Sequence, residues 1–222
     1  MTEPCLDRST RRLIALGAIL APALHTLTDM MEWVHGGFFP VQLWLNYLSF
    51  VPVPAVMLGL YAAQRPRISR LGLVGALFYG FAFVYFTHTT LLALALATKT
   101  YADLWKQLGA IYTLHGVLMI VGGACFGWAS LRAGVLPRWT TTTFLLGLSI
   151  NLLLGVLPAP ELLQTIGTAV RNVGLIGMGW AISSDPHPPR GKDPPVAVDF
   201  RSGSGGRACG EFSVILGRPA RG

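Results

Sequence analysis

Six apolar stretches, at about 13–34, 39–63, 71–97, 107–131, 139–157 and 161–182, occupy most of this chain. An α-helix needs about 20 mostly apolar residues to cross about 30 Å of hydrocarbon, and a backbone in lipid must satisfy its polar groups internally. The pattern therefore predicts an all-α integral membrane bundle of six transmembrane helices. Composition points the same way. Residues are 52% hydrophobic and only 12% charged, whereas a soluble domain carries about 25% charged residues. The stretch after Met1–Arg12 is too long for a signal-peptide core, so it reads as a first transmembrane helix.

The basic residues orient the bundle. Arg8, Arg11 and Arg12 precede the first stretch; Arg65, Arg67 and Arg70 lie between the second and third; Arg132 and Arg138 lie between the fourth and fifth. Six more follow the last stretch, so fourteen of the seventeen Lys and Arg fall on one side, against Lys99 and Lys106 on the other. The positive-inside rule then predicts that both termini are cytoplasmic. The tryptophans agree: Trp33, Trp44 and Trp105 fall near the outer ends of their spans, and Trp128, Trp139 and Trp180 near the inner ends. These are the headgroup levels that Trp prefers. A pI near 9.8 raises nucleic acid as a partner, but charge in short clusters between spans is a topology signal. No direct nucleic-acid binding is expected.

Three regions follow: a cytoplasmic arm at 1–12, the bundle at 13–182, and a tail at 183–222. The tail holds six Pro, seven Gly and too little apolar surface to offset ordering, so it is expected to be disordered. Pro158 and Pro160 predict a tight reversal between the last two spans. Gly123 and Gly127 form a GxxxG, a weak signal for close helix packing. Cys5, Cys125 and Cys209 are isolated, which argues against a disulfide framework or zinc knuckle.

Polar groups inside hydrocarbon are costly, so each needs an account. His25, Asp29 and Glu32 share one face of the first span, and Gln164, Thr168, Arg171 and Asn172 share one face of the sixth. Asn46, His88, His115 and Asn151 come from the spans between. At 1.5 Å per residue, His25, His115 and Asn151 lie about 10–13 Å below the outer face and Arg171 about 15 Å. A candidate polar pocket in the outer half is therefore expected, formed by His25, Asp29, Glu32, Asn46, His88, His115, Asn151 and Arg171. One reading is structural: Arg171 pairs with Asp29 or Glu32, and hydrogen bonds between helices hold the bundle together. Another is a ligand-binding pocket. A divalent metal on His25, Asp29, His88 and His115, a haem on His25 and His115, or acid–base chemistry on a lipid-like substrate are further alternatives. The sequence has no P-loop, GxGxxG, HExxH or nucleophile motif. No catalytic residue, metal or cofactor is assigned.

A chain of about 24 kDa with six spans, no extramembrane domain and an Arg- and Gly-rich tail such as Arg201-Ser202-Gly203-Ser204-Gly205-Gly206-Arg207 resembles the membrane-bound anti-sigma regulators of carotenogenesis in myxobacteria. The likeness covers the whole length and rests on size, topology and tail. A segment at 131–139, from Leu131 to Trp139, resembles a recurrent loop in bacterial six-span proteins. What the resemblance implies is a multi-pass protein of the cell inner membrane that is not an enzyme. It would sequester an extracytoplasmic-function-type sigma factor and repress light-induced carotenoid biosynthesis genes until light leads to its loss. Many anti-sigma factors carry a folded cytoplasmic domain, which this chain lacks. The partner-facing residues would be Arg8, Arg11, Arg12, Arg65, Arg67, Arg70, Arg132 and Arg138. An integral membrane enzyme or ligand-binding protein using the outer pocket is the alternative.

Overall fold

In the computed structural model, which describes residues 6–157 and 161–184, the chain is all-helical and has no strand among the described residues. α1 (Arg8–His35) starts where the Asp7 carboxylate accepts from the Thr10 N–H and ends at Gly36 in the left-handed region, whose N–H bonds the Glu32 carbonyl. Arg8, Arg11 and Arg12, expected on an arm, thus stand on the first turns of α1. The second apolar stretch is divided into α2 (Pro40–Phe50) and α3 (Val53–Ala63). Pro52 and Pro54 withdraw two backbone donors there, which a single uninterrupted helix would need. α4 (Arg70–Ala95), a short α5 (Tyr101–Leu108), α6 (Ala110–Ala133), α7 (Arg138–Val156) and α8 (Glu161–Ser184) follow. The expected disordered tail and the Pro158–Pro160 reversal lie outside the described residues, as do Cys5 and Cys209.

Among the described residues, four segments are long and apolar enough to cross a membrane: Arg8–His35, Pro40–Ala63, Arg70–Ala95 and Ala110–Ala133. They mark the chain as a membrane protein. α7 and α8, the expected fifth and sixth spans, stand in the same bundle but are not among these four. The inward face of α8 carries Thr168, Arg171 and Asn172, all buried, while Leu162, Leu163, Ile166, Val173 and Trp180 on its outer side are exposed. Buried polar groups on one side of this stretch and exposed apolar ones on the other reverse the order found on the surface helix of a water-soluble globule. All six tryptophans are at least half exposed.

Neighbouring helices run antiparallel, and the contacts close a ring: α1, then α2 with α3, then α4, α6, α7 and α8, which returns to α1. The close approaches are made at glycine. A Cβ added to Gly75 on α4 would lie 2.3 Å from the Phe126 backbone N, and one on Gly122 of α6 would lie 2.4 Å from the Tyr79 backbone N. Gly123 and Gly127, the GxxxG pair, receive Leu148 and Leu145 of α7. On α8, Gly174 meets the Phe144 backbone and Gly179 meets Ala15 and Ala18 of α1.

The ring is filled unevenly. In the half toward Arg8, Arg70, Arg132 and Arg138 its centre is packed solid by Met57, Leu60, Tyr79, Phe126, Phe144 and Met178, all almost wholly buried. Gln64 ties the α3–α4 connection to α6 through Nε2, which donates to the Leu60 carbonyl at 3.0 Å and to Ser130 Oγ at 3.1 Å. Toward the opposite end the centre is hollow.

Candidate functional site

The hollow is a cavity of about 970 Å³, at the upper end of the range of about 300–1,000 Å³ for small-molecule sites. Phe50, Phe83, Phe86, Ile120 and Trp105 form much of its wall, and polar groups converge from every surrounding helix. Seven of the eight expected pocket residues line it: His25, Asp29, Glu32, Asn46, His115, Asn151 and Arg171. His88 does not. It is exposed on the lipid-facing side of α4, while Thr89 and Thr90 turn inward.

On α1, His25 Nε2 stands 3.5 Å from Asp29 Oδ1, the i, i+4 spacing of one helix face. The His25 ring packs edge-on against Phe50 and Phe83, with centroids 4.8 and 6.3 Å away. One turn on, Glu32 Oε2 accepts from the Tyr101 hydroxyl at 3.0 Å and from Gln42 Nε2 at 3.5 Å. Tyr101 arrives on α5, which the Thr100 hydroxyl caps by accepting from the Asp103 N–H. Burial pushes the Tyr101 phenol well above its usual range, and the neighbouring Glu32 carboxylate adds to the push. It therefore stays a protonated donor.

Asn46 Oδ1 accepts from Thr28 Oγ1 at 3.2 Å and from Ser49 Oγ at 3.4 Å. His115 directs Nδ1 at the Ile111 carbonyl, 3.2 Å away, between the Phe86 and Tyr112 rings. Asn151 Nδ2 donates to Thr168 Oγ1, and Asn172 Nδ2 to Thr26 Oγ1, both at 3.0 Å. These last two bonds pin α8 to α7 and to α1.

Arg171 is 2% exposed, the largest of the fully buried side chains. Its backbone is seated on Gly147 of α7, where an added Cβ would come within 2.2 Å of the Arg171 N. Its guanidinium crosses toward α6, where Nη1 donates to Met119 Sδ at 3.0 Å. Nε is buried with no hydrogen-bond acceptor among the described residues. The expected pairing of Arg171 with a carboxylate takes a different form: Asp29 pairs with His25, Glu32 accepts from Tyr101 and Gln42, and a thioether faces the guanidinium. A thioether is only a weak acceptor.

The metal set does not assemble. Among the described residues no three His, Cys, Asp or Glu side chains converge as ligands, and His88 points to the other side of its helix. For a haem, the contact path between His25 and His115 runs through Phe83 and Phe86, whose centroids are 5.2 Å apart.

Reading the sequence alone overlooked several residues. Gln42 and Ser49 share the face of Asn46 at i−4 and i+3, so the helical period could have found them. Tyr101 sits between spans, and Met119 looks like any apolar residue of a span, so neither carried a signal. No protein-family profile matches the chain, and comparison with curated proteins and with solved structures finds no match.

Proposed function

We propose that this chain is a membrane-embedded binding protein whose cavity holds a small, membrane-soluble ligand. The observation that carries the reading is the buried Arg171 guanidinium at the edge of a 970 Å³ cavity, with Nε lacking an acceptor. Buried charge is retained in hydrocarbon where it has work to do. Binding rather than catalysis is favoured because His25 with Asp29, Tyr101 with Glu32, and His115 with the Ile111 carbonyl are engaged with one another or with the backbone. The proposal includes six spans with both termini cytoplasmic, supported by the ring of six antiparallel helical columns. Reporter fusions at residue 68 and at 184 test that topology, and a periplasmic signal from either refutes it.

Gly116 offers a clean test of binding. It lines the cavity, and an added Cβ there meets nothing within 4 Å, so Gly116→Trp starts from an open position and adds bulk at the cavity wall. Lipid extracts of detergent-purified protein should contain a species bound to the wild-type chain and depleted about tenfold in the variant, the loss expected for about 1.4 kcal/mol. The same species at the same occupancy in both proteins refutes the reading.

A second reading has its own observation. Arg8, Arg12, Arg65, Arg67, Arg70, Arg132 and Arg138 are exposed, Arg11 is half-buried, and all lie at one end of the ring. Such a face suits an acidic patch on a partner, steering encounter more than setting final affinity. The likeness to carotenogenesis regulators supplies the partner: an extracytoplasmic-function-type sigma factor held at the cell inner membrane, with light-induced genes repressed meanwhile. Pull-down from detergent-solubilised membranes kept in the dark should recover the sigma factor, and Arg67→Glu with Arg70→Glu should release it. Recovery of no sigma factor refutes this reading.

A further inference from the structure

Resting on the ligand-binding reading, we propose that the cavity takes a long-chain carboxylate, a single-tailed anionic amphiphile, which enters sideways from the bilayer between α6 and α7. Three features specify that chemistry. The first is the unfilled hydrogen-bonding capacity of Arg171. A guanidinium offers five donors in a planar fork, yet here Nη1 meets a thioether and Nε meets no acceptor. A carboxylate matches that fork with two parallel hydrogen bonds.

The second is charge balance. Among the described residues, Arg171 is the one permanent cation on the cavity wall, and Asp29 and Glu32 share that wall. Any anion meets those two acids with a single cation to offset them, and a headgroup with two negative charges meets twice the repulsion of one with a single charge. A monoanion suits the site. Phe50, Phe83 and Phe86 then provide apolar surface for a hydrocarbon tail.

The third is the route. α6 and α7 touch where Gly123 meets Leu148 and Gly127 meets Leu145, toward the arginine-bearing end. Farther along, Val117, Val121 and Leu152 line the cavity and are 52%, 43% and 48% exposed. Gly116 of α6 and Gly155 of α7 also line it, and an added Cβ on either meets nothing within 4 Å. The wall is thinly packed along this seam, which suits sideways entry of a lipid-dissolved amphiphile.

The test uses the full chain in phosphatidylcholine nanodiscs with tritiated palmitate and, as the uncharged control, tritiated methyl palmitate. Wild-type protein should bind palmitate about tenfold to a hundredfold more tightly than the ester, the range for a hydrogen-bonded charge. Arg171→Met should abolish that preference, and Arg171→Lys should restore part of it. Gly155→Leu should slow palmitate association several-fold. Equal binding of acid and ester by the wild type overturns the carboxylate assignment, whereas the ligand-binding reading stands if Gly116→Trp still depletes the bound species. Failure of Gly116→Trp to change any binding removes both. An unchanged association rate in Gly155→Leu overturns the side entrance.

Discussion

Adding one methyl group at Gly75 should open the seam between α4 and α6. A Cβ there would stand 2.3 Å from the Phe126 N, 2.7 Å from the Gly122 O and 2.8 Å from the Phe126 Cα, against 3.4–4 Å for ordinary contact. All three atoms are backbone, so no side chain can swing aside, and the helices must separate by about 1 Å. A gap of that size forfeits a quarter to a half of each contact it opens, along a seam that runs from Gly72 against Ala129 to Tyr79 against Gly122. Overpacking of this kind costs about 1–3 kcal/mol or more, and the helix-propensity gain of Ala over Gly returns up to about 1 kcal/mol. Gly75→Ala should therefore be destabilised by about 1–2 kcal/mol net. Gly116→Ala is the matched control, because the space beside Gly116 is open. It should gain about 0.5–1 kcal/mol. The assay is reversible unfolding in mixed micelles of rising dodecyl sulfate fraction, followed by circular dichroism. Gly75→Ala at least as stable as Gly116→Ala would refute the argument that backbone contact at this seam sets the cost.

Other outcomes follow from the same geometry. Gln64→Ala should lose about 1–2 kcal/mol, because it strands buried Ser130 Oγ and the Leu60 carbonyl; the same unfolding assay checks it. His115→Ala should cost about 2–3 kcal/mol by vacating the space between Phe86 and Tyr112, whereas exposed His88→Ala should stay within about 0.5 kcal/mol; equal losses would contradict the inward and outward assignments. Tyr101 imposes a pH dependence: its phenol is raised in the folded state, so its contribution is complete below the unfolded value of 10.0 and declines as pH rises past it. Tyr101→Phe should flatten stability measured from pH 9 to 11, and an unchanged slope would count against a buried, protonated phenol.

The helices were legible because long apolar runs admit no other structure in lipid. Even the fifth and sixth appear within a residue or two of the stretches at 139–157 and 161–182. Periodicity also brought His25, Asp29, Glu32 and Arg171 to inward faces. It failed at His88, since one residue turns a helix by about 100°, and depth along the axis says nothing about that rotation. It failed again at the partner of Arg171. Whether a guanidinium meets Asp29 or Met119 depends on how closely Gly147 lets α7 approach α8, and such distances are a property of packed helices, which spacing along one chain does not encode. The Pro52 break was written in the sequence but overridden in the reading by the continuous apolar run around it.

The seat of α8 joins the two halves of the ring. Eight residues separate Arg171 from Gly179, about 12 Å along a rigid helix. The upper contact lies at the cavity wall and the lower one bears directly on Ala15 and Ala18 of α1, one turn from Arg11 and Arg12. Between these two contacts α8 is seated on α7, with Gly174 against the Phe144 backbone and Gly177 against Trp139 and Thr140. A substitution at either end of α8 should therefore be non-additive with substitutions in the helices packed against that end.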